Sequence, residues 1–220
     1  MKEHSFEKID VCTSLTEIPQ ILSYVQSKLI PCNQLNCKSI FHESRIYNSF
    51  AAAVPEDIPN LSNRRQFPYD RKYENTGLDN EISEHGYFLA KGQILFHGGN
   101  LSKLGEEPTS RPLSTSLCLA QTKNHANKSS PSPCGSVSPS VTSTESVPEV
   151  WVLRVSNERD IKGYIYGENI KPEQDITNIR VPPEEFEMII WSGVKIEPVA
   201  DSALVGNYLV TIADIRSIQS

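Results

Sequence analysis

The chain lacks most of the local patterns by which enzymes and metal proteins can be read from sequence. Its five cysteines (Cys12, Cys32, Cys37, Cys118 and Cys134) are odd in number and irregularly spaced, with no Cys-x-x-Cys pair and no histidine at zinc-ligand spacing. No structural metal is therefore expected, and the thiols read as reduced, most of them serving as small apolar side chains. No Gly-x-Gly-x-x-Gly follows a strand-like run and no Gly-x-x-x-x-Gly-Lys occurs, so neither a Rossmann fingerprint nor a P-loop is supported. No Ser/His/Asp or Cys/His set stands in a recognisable local context, which leaves little weight for hydrolase chemistry of that kind. Long apolar runs are missing too: nothing approaches the length that spans a bilayer, and residues 1–8 lack the apolar run of a signal peptide. The expectation is a soluble protein without a membrane partner, cytoplasmic unless it is secreted by a non-classical route. Positive charge is short as well, 21 Lys and Arg against 27 Asp and Glu, a formal net charge of −6. An acidic chain repels phosphate backbones, and its densest basic stretch, residues 63–72, is short and interrupted by Asp70; it reads as solvated surface, and no nucleic-acid partner is expected.

What is present divides into two parts within 220 residues, enough for one large domain or two small ones with a real core. In residues 1–85, Ile18, Ile21, Leu22, Val25 and Leu29 fall on one helical face, with Thr16 as the expected N-cap and Pro19 in the first turn. A second helix is expected over 39–53, closed by Pro55 and Pro59, and the polar segment 55–84 reads as loops with at most one short helix. From Gly86 the pattern changes to short runs rich in Val, Ile, Tyr and Trp between turn residues: 93–97, 113–116, 150–155, 163–166, 187–191, 194–199 and 207–215. One helix, 117–126, interrupts them. Residues 127–148 are Ser/Pro-rich and hold too few apolar side chains to offset their ordering entropy, so a flexible projecting loop is expected there. The fold class is α+β: a helical N-terminal region (1–85), then a compact, mostly β unit (86–220).

Four segments in that second part place small or polar residues on or beside apolar runs: Ile94-Leu95-Phe96-His97-Gly98-Gly99, Pro112-Leu113-Ser114-Thr115-Ser116, Val150-Trp151-Val152-Leu153-Arg154-Val155 and Glu185-Phe186-Glu187-Met188-Ile189-Ile190. Taken singly, each has an ordinary explanation. Gly-Gly after a strand is often a turn, Ser116 suits a helix cap, and an acidic turn after Pro182-Pro183 could lead into an edge strand. Strand alternation would put Glu185 and Glu187 on one face, with Phe186 opposite.

In this order and spacing the segments resemble the NAD-binding core of ADP-ribosyltransferases, over about residues 93–199. Ser114-Thr115-Ser116 and the helix after it are similar to the Ser-Thr-Ser segment of that superfamily's Arg-Ser-Glu group, and Glu185-x-Glu187 to its Glu-x-Glu strand. The resemblance implies a split β-sheet (β-sandwich) core that binds NAD as substrate. It implies Glu187 as the indispensable carboxylate at the nicotinamide ribose, Glu185 as the acceptor-side residue, and Ser114 as the hydroxyl that positions Glu187. The NAD-contacting set becomes His97, Gly98, Ser114, Thr115 and Glu187, with Thr115 and Ser116 also supporting the strand-to-helix turn and residues 175–184 as a substrate-recognition loop. Chemically the assignment is coherent. Loss of a pyridinium needs no general acid but leaves an oxocarbenium-like ribose, which a carboxylate stabilises, as in glycoside hydrolysis. One departure stands out: the Arg-Ser-Glu group carries arginine where this chain has His97, as in the diphtheria-toxin and poly-ADP-ribose polymerase group. A neutral imidazole cannot make bidentate charged contacts, so either NAD is held less by charge there, or Arg45, Arg111 or Arg154 takes up the phosphates.

The resemblance therefore implies a mono-ADP-ribosyltransferase acting on a protein side chain, arginine favoured, of the kind found in toxins and virulence effectors that modify a host protein. An NAD glycohydrolase, with water as acceptor, would use the same residues. A catalytically degenerate binding domain of the same fold is the non-enzymatic alternative, and an RNA phosphotransferase is disfavoured by the acidic balance.

Overall fold

In a computed structural model of the chain, the described residues are 8–9, 17–29, 46, 76–101, 107–129, 147–157, 159–165 and 186–218. They hold three helices, α1 (Ile18–Lys28), α2 (Thr76–His85) and α3 (Leu119–Ser129), and nine strands. The strands are β1 (Tyr87–Phe88), β2 (Ile94–Gly98), β3 (Leu113–Ser116), β4 (Glu149–Val155), β5 (Lys162–Ile165), β6 (Glu187–Ile190), β7 (Val194–Pro198), β8 (Ala203–Val205) and β9 (Tyr208–Ser217). Hydrogen bonds join them in the order β1-β5-β6-β3-β2-β4-β9-β7, with β8 added against β9. β4 and β9 run parallel over seven register pairs and every other pairing is antiparallel. The α+β expectation holds among these residues. The pairing is one continuous path, and its narrowest link is β2 to β3, a single pair, Phe96↔Ser116.

Both faces of the central strands are buried, which is why β4 carries four consecutive apolar residues, 150–153, rather than an alternation. Ile94 and Phe96 of β2, Val150 and Val152 of β4, and Val210 and Ile212 of β9 share one apolar cluster with Ile21, Val25 and Leu29 and with Leu119 and Ala126 of α3. Leu95, Trp151, Leu153, Ala213 and Ile215 belong to a second cluster, with Leu113, Ile165, Met188 and Ile190 from the other half of the sheet. Side chains at i and i+1 of each of these strands therefore go to different cores, as period-two geometry requires.

Helix α1 presents Ile21, Val25 and Leu29, four residues apart, to the first cluster. Its N-cap is Glu17, not the expected Thr16, and the Gln20 side-chain oxygen accepts the Glu17 amide N–H at 3.4 Å. This reciprocal arrangement satisfies the helix end without a hydroxyl. Pro19 lies in the first turn, as expected. The short helix allowed within 55–84 is α2, tied to the turn after β6 where Asp79 accepts the Ser192 N–H (2.8 Å) and hydroxyl (2.6 Å). Of the helix expected at 39–53, only Ile46 is described; it is helical and packs against the second cluster. Buried Gln93 fastens Ile9 to the start of β2, accepting its N–H at 2.7 Å and donating to its carbonyl at 2.8 Å. Strands β1 and β8 were not anticipated, and α3 begins and ends later than the expected 117–126. No described helix is long and apolar enough to cross a membrane.

α3 lies directly on the end of β2. A Cβ at Gly98 would stand 2.1 Å from the Thr122 carbonyl oxygen and 2.6 Å from the Ala126 amide nitrogen, both backbone atoms that cannot swing aside. Gly98→Ala should therefore cost about 1–3 kcal/mol, the usual penalty of overpacking, measured as a lower urea midpoint. A midpoint equal to wild type would mean that α3 does not rest on this glycine.

Candidate active site

Past Phe96, β2 stays paired with β4 (His97↔Trp151, Gly98↔Val150), but no register pair continues to β3. The two strands part, and a cavity of about 160 Å³ opens there, lined by Phe96, His97, Gly98, Ser114, Thr115, Ser116, Thr122, His125 and Glu187. That is below the roughly 300 Å³ at which drug-sized sites begin, so it suits one ring-sized portion of a larger ligand.

Each polar side chain in the lining has a definite role. The His97 ring bridges the parted strands: its Nδ1 lies 2.8 Å from the Ser114 carbonyl oxygen. A carbonyl can only accept, so Nδ1 carries the proton, and in the neutral ring Nε2 is an acceptor. Burial depresses the His97 pKa; the Ser114 carbonyl opposes this and nearby His125 adds to it. His97 is therefore a neutral imidazole at physiological pH.

On the facing strands, Ser114 donates its hydroxyl to Glu187 Oε1 at 2.5 Å. Register pairs Ser114 with Ile189 and Ser116 with Glu187, so this bond runs diagonally across the ladder, within reach on an antiparallel pair. Glu187 is 8% exposed, and the serine hydroxyl limits the rotation of its carboxylate. Thr115 points its hydroxyl at the Met188 carbonyl (2.6 Å) and Ser116 accepts the Cys118 N–H (3.0 Å). These two hydroxyls hold the β3–β6 ladder and the turn toward α3.

The structure thus brings His97, Gly98, Ser114, Thr115 and Glu187 together around one cleft. Glu185 lies outside the described residues, as do Arg45 and the 175–184 segment. Strand alternation does not run back from Glu187: β6 starts at that residue, and Phe186 before it has φ +45°, a left-handed backbone. Arg154 is not available for phosphates. It is held by Asp214 through Nε–Oδ1 at 2.7 Å and Nη2–Oδ2 at 3.1 Å, with its register partner Ile94 at the opposite end of β2. Arg111 precedes β3 and does not line the cleft. Sequence reasoning missed Thr122 and His125. Their signal was available: they lie three apart on the helix that follows Ser-Thr-Ser, hence on one face. Among the described residues no cluster of His, Cys, Asp or Glu could hold a metal ion.

No family model and no curated protein matches the chain. Three solved structures of Vis, an ADP-ribosyltransferase toxin from Vibrio splendidus, resemble it distantly. One in complex with M6 inhibitor is 14% identical, spans 78% of this chain and 74% of that one, and gives a TM-score of 0.39. The structure described as the toxin itself is 13% identical over 79% and 75%, at 0.37. One with agmatine is 14% identical over 80% and 78%, at 0.36. At these scores the likeness decides nothing about activity, which has to be argued from the cleft.

The depressed His97 pKa has a measurable consequence. Below the ordinary value of 6.5 the unfolded chain takes up a proton before the folded one does. Stability linked to His97 is therefore fully present above that pH and is lost as pH falls through the lowered folded-state value. His97→Gln, which binds no proton, should show a shallower decline of urea midpoint from about pH 7 to about pH 5 than wild type. Equal declines would mean that folding leaves the titration of His97 unchanged.

Proposed function

We propose that the chain is a mono-ADP-ribosyltransferase that cleaves NAD at the nicotinamide bond and passes ADP-ribose to a protein side chain, arginine favoured. The observation that carries this reading is the 2.5 Å bond from Ser114 to Glu187, at a cleft that also receives His97 and Gly98. A carboxylate that is nearly buried, aimed by a hydroxyl and set at a ring-sized cavity suits the stabilisation of a cationic ribose.

In this reading nicotinamide departs with the electron pair of its glycosidic bond, and Glu187 faces the positive charge left on the ribose. The acceptor nitrogen then bonds to the anomeric carbon and gives up a proton, with Glu185 as the residue on the acceptor side. Neutral His97 accepts a ribose hydroxyl at Nε2. Gly98 exposes backbone to the nicotinamide end, while Ser114 and Thr115 complete the NAD contacts. Residues 86–220 form the catalytic core, with the sheet curling at its β2–β3 link into the split sheet of an NAD-binding fold. The acceptor is a protein, and a toxin or effector acting on a host protein is the biological setting that fits this chemistry.

Nicotinamide release and intact-mass analysis with NAD and a cell extract test the proposal. Glu187→Ala should reduce turnover by about 10²–10³-fold or more, and Ser114→Ala by about 10²-fold through misplacement of the carboxylate. Glu185→Ala should lose transfer while keeping some hydrolysis. Proteins heavier by one ADP-ribose with wild type alone would support the transferase. Nicotinamide release without labelled protein would make it a glycohydrolase, and neither turnover nor NAD binding would sink both.

A further inference from the structure

The cleft contains one carboxylate, Glu187, and no lysine or arginine among its described lining residues. A dinucleotide carries two negative charges on its diphosphate, and among the described residues neither Arg154 nor His97 supplies a positive partner for them. Arg154 is bound by Asp214. His97 has donated Nδ1–H to Ser114, and its burial disfavours the charged form.

The lining holds one other side chain that can become a cation, His125, on the α3 wall. Its approach is a consequence of the bare Gly98 backbone: a Cβ there would lie 3.1 Å from the His125 Cβ. The imidazole is partly buried, so it is reachable from the cleft without being fully withdrawn from water.

We propose that His125 grips the diphosphate of the bound dinucleotide, a contact that the first strand, with neutral His97, does not make; the assignment rests on reading the cleft as the NAD site. The titratable groups that line the cleft with it are His97 on β2, which it couples to, and Glu187 across the cleft on β6. Glu187 faces the ribose in the proposed mechanism, so it and His125 address different parts of one substrate.

Calorimetric titration with ADP and with adenosine tests the grip without any turnover. For wild type, ADP should bind about tenfold tighter than adenosine at about pH 6, and the advantage should shrink by about pH 8 as a histidine loses its charge. His125→Gln should abolish the advantage at both pH values. His125→Lys, whose charge is fixed over this range, should keep it at both, a rescue that a merely structural role would not produce. In steady state the glutamine variant should raise the NAD KM about tenfold at about pH 6 with kcat changed less than about threefold. An ADP preference that survives in His125→Gln with its pH dependence intact would overturn the assignment. So would a loss of kcat at constant KM, or a lysine variant, folded by thermal melting, that shows no ADP preference. If wild type releases no nicotinamide but prefers ADP in this histidine-dependent way, the NAD-cleaving reading falls and the diphosphate grip stands.

Discussion

Phe96 and Ser116 form the one register pair between β2 and β3, and the cleft exists because the ladder stops there. At that pair β2 has partners on both sides, Ser116 of β3 and Val152 of β4. Past it, β2 keeps only its β4 partner, and the facing carbonyl of Ser114 would be left without its strand neighbour. The His97 ring fills that role at 2.8 Å. A buried carbonyl without a donor costs about 1–3 kcal/mol, so the imidazole is part of the sheet before it is part of any reaction. Its tautomer follows from that duty. The site and the fold are therefore held by the same bond.

The hydroxyls of the Ser-Thr-Ser segment divide along the same line. Alternation points Ser114 and Ser116 to one face and Thr115 to the other. Thr115 closes on the Met188 carbonyl and Ser116 on the Cys118 amide, while Ser114 alone reaches a side chain, Glu187. Three adjacent residues of similar chemistry thus do three things: they hold a ladder, cap a turn and aim a carboxylate. The distinction rests on the register of β3 against β6. A slip of one residue would exchange these faces, which makes the apolar residues that fix the register, Leu113, Met188 and Ile190 in the shared cluster, as necessary to the site as the serine itself.

Much of this was legible from the residues because burial and period agree. The β3 span was read to the residue, and β4, β6 and β9 to within one or two; the last three hold apolar runs bounded by turn formers, while β3 was marked by its Ser-Thr-Ser. β1 and β8, of two and three residues, are too short for alternation to be seen; they exist because a neighbouring strand offers them partners. Helix ends were less legible. Glu17 caps α1 by exchange with Gln20, a pattern that depends on pairing rather than on residue type, and Thr16 looked the better cap by propensity. Within the site, Ser114 and Glu187 were recognisable by motif, but their contact is a matter of register that no local pattern contains. His125 went unassigned because its significance depends on Gly98 admitting α3, a contact between elements far apart in the chain.

The start of β6 shows where a period-two reading must stop. Alternation predicts that residues on either side of Phe186 share a face, yet Phe186 has φ +45°, and an aromatic residue in that region carries strain of about 1–3 kcal/mol. Such a conformation survives only if its surroundings over-determine it. Here the ring is 4% exposed within the second apolar cluster, and the Phe186 carbonyl accepts the Leu117 N–H at 3.0 Å. Leu117 directly follows Ser116, so the same short segment that orients Glu187 through Ser114 also fastens the residue before it. The left-handed turn ends the ladder at Glu187, leaving the carboxylate at the first residue of its strand. A straight strand would have placed it within a continuing ladder. The strain is thus located at the residue immediately before β6, beside the carboxylate that the cleft uses.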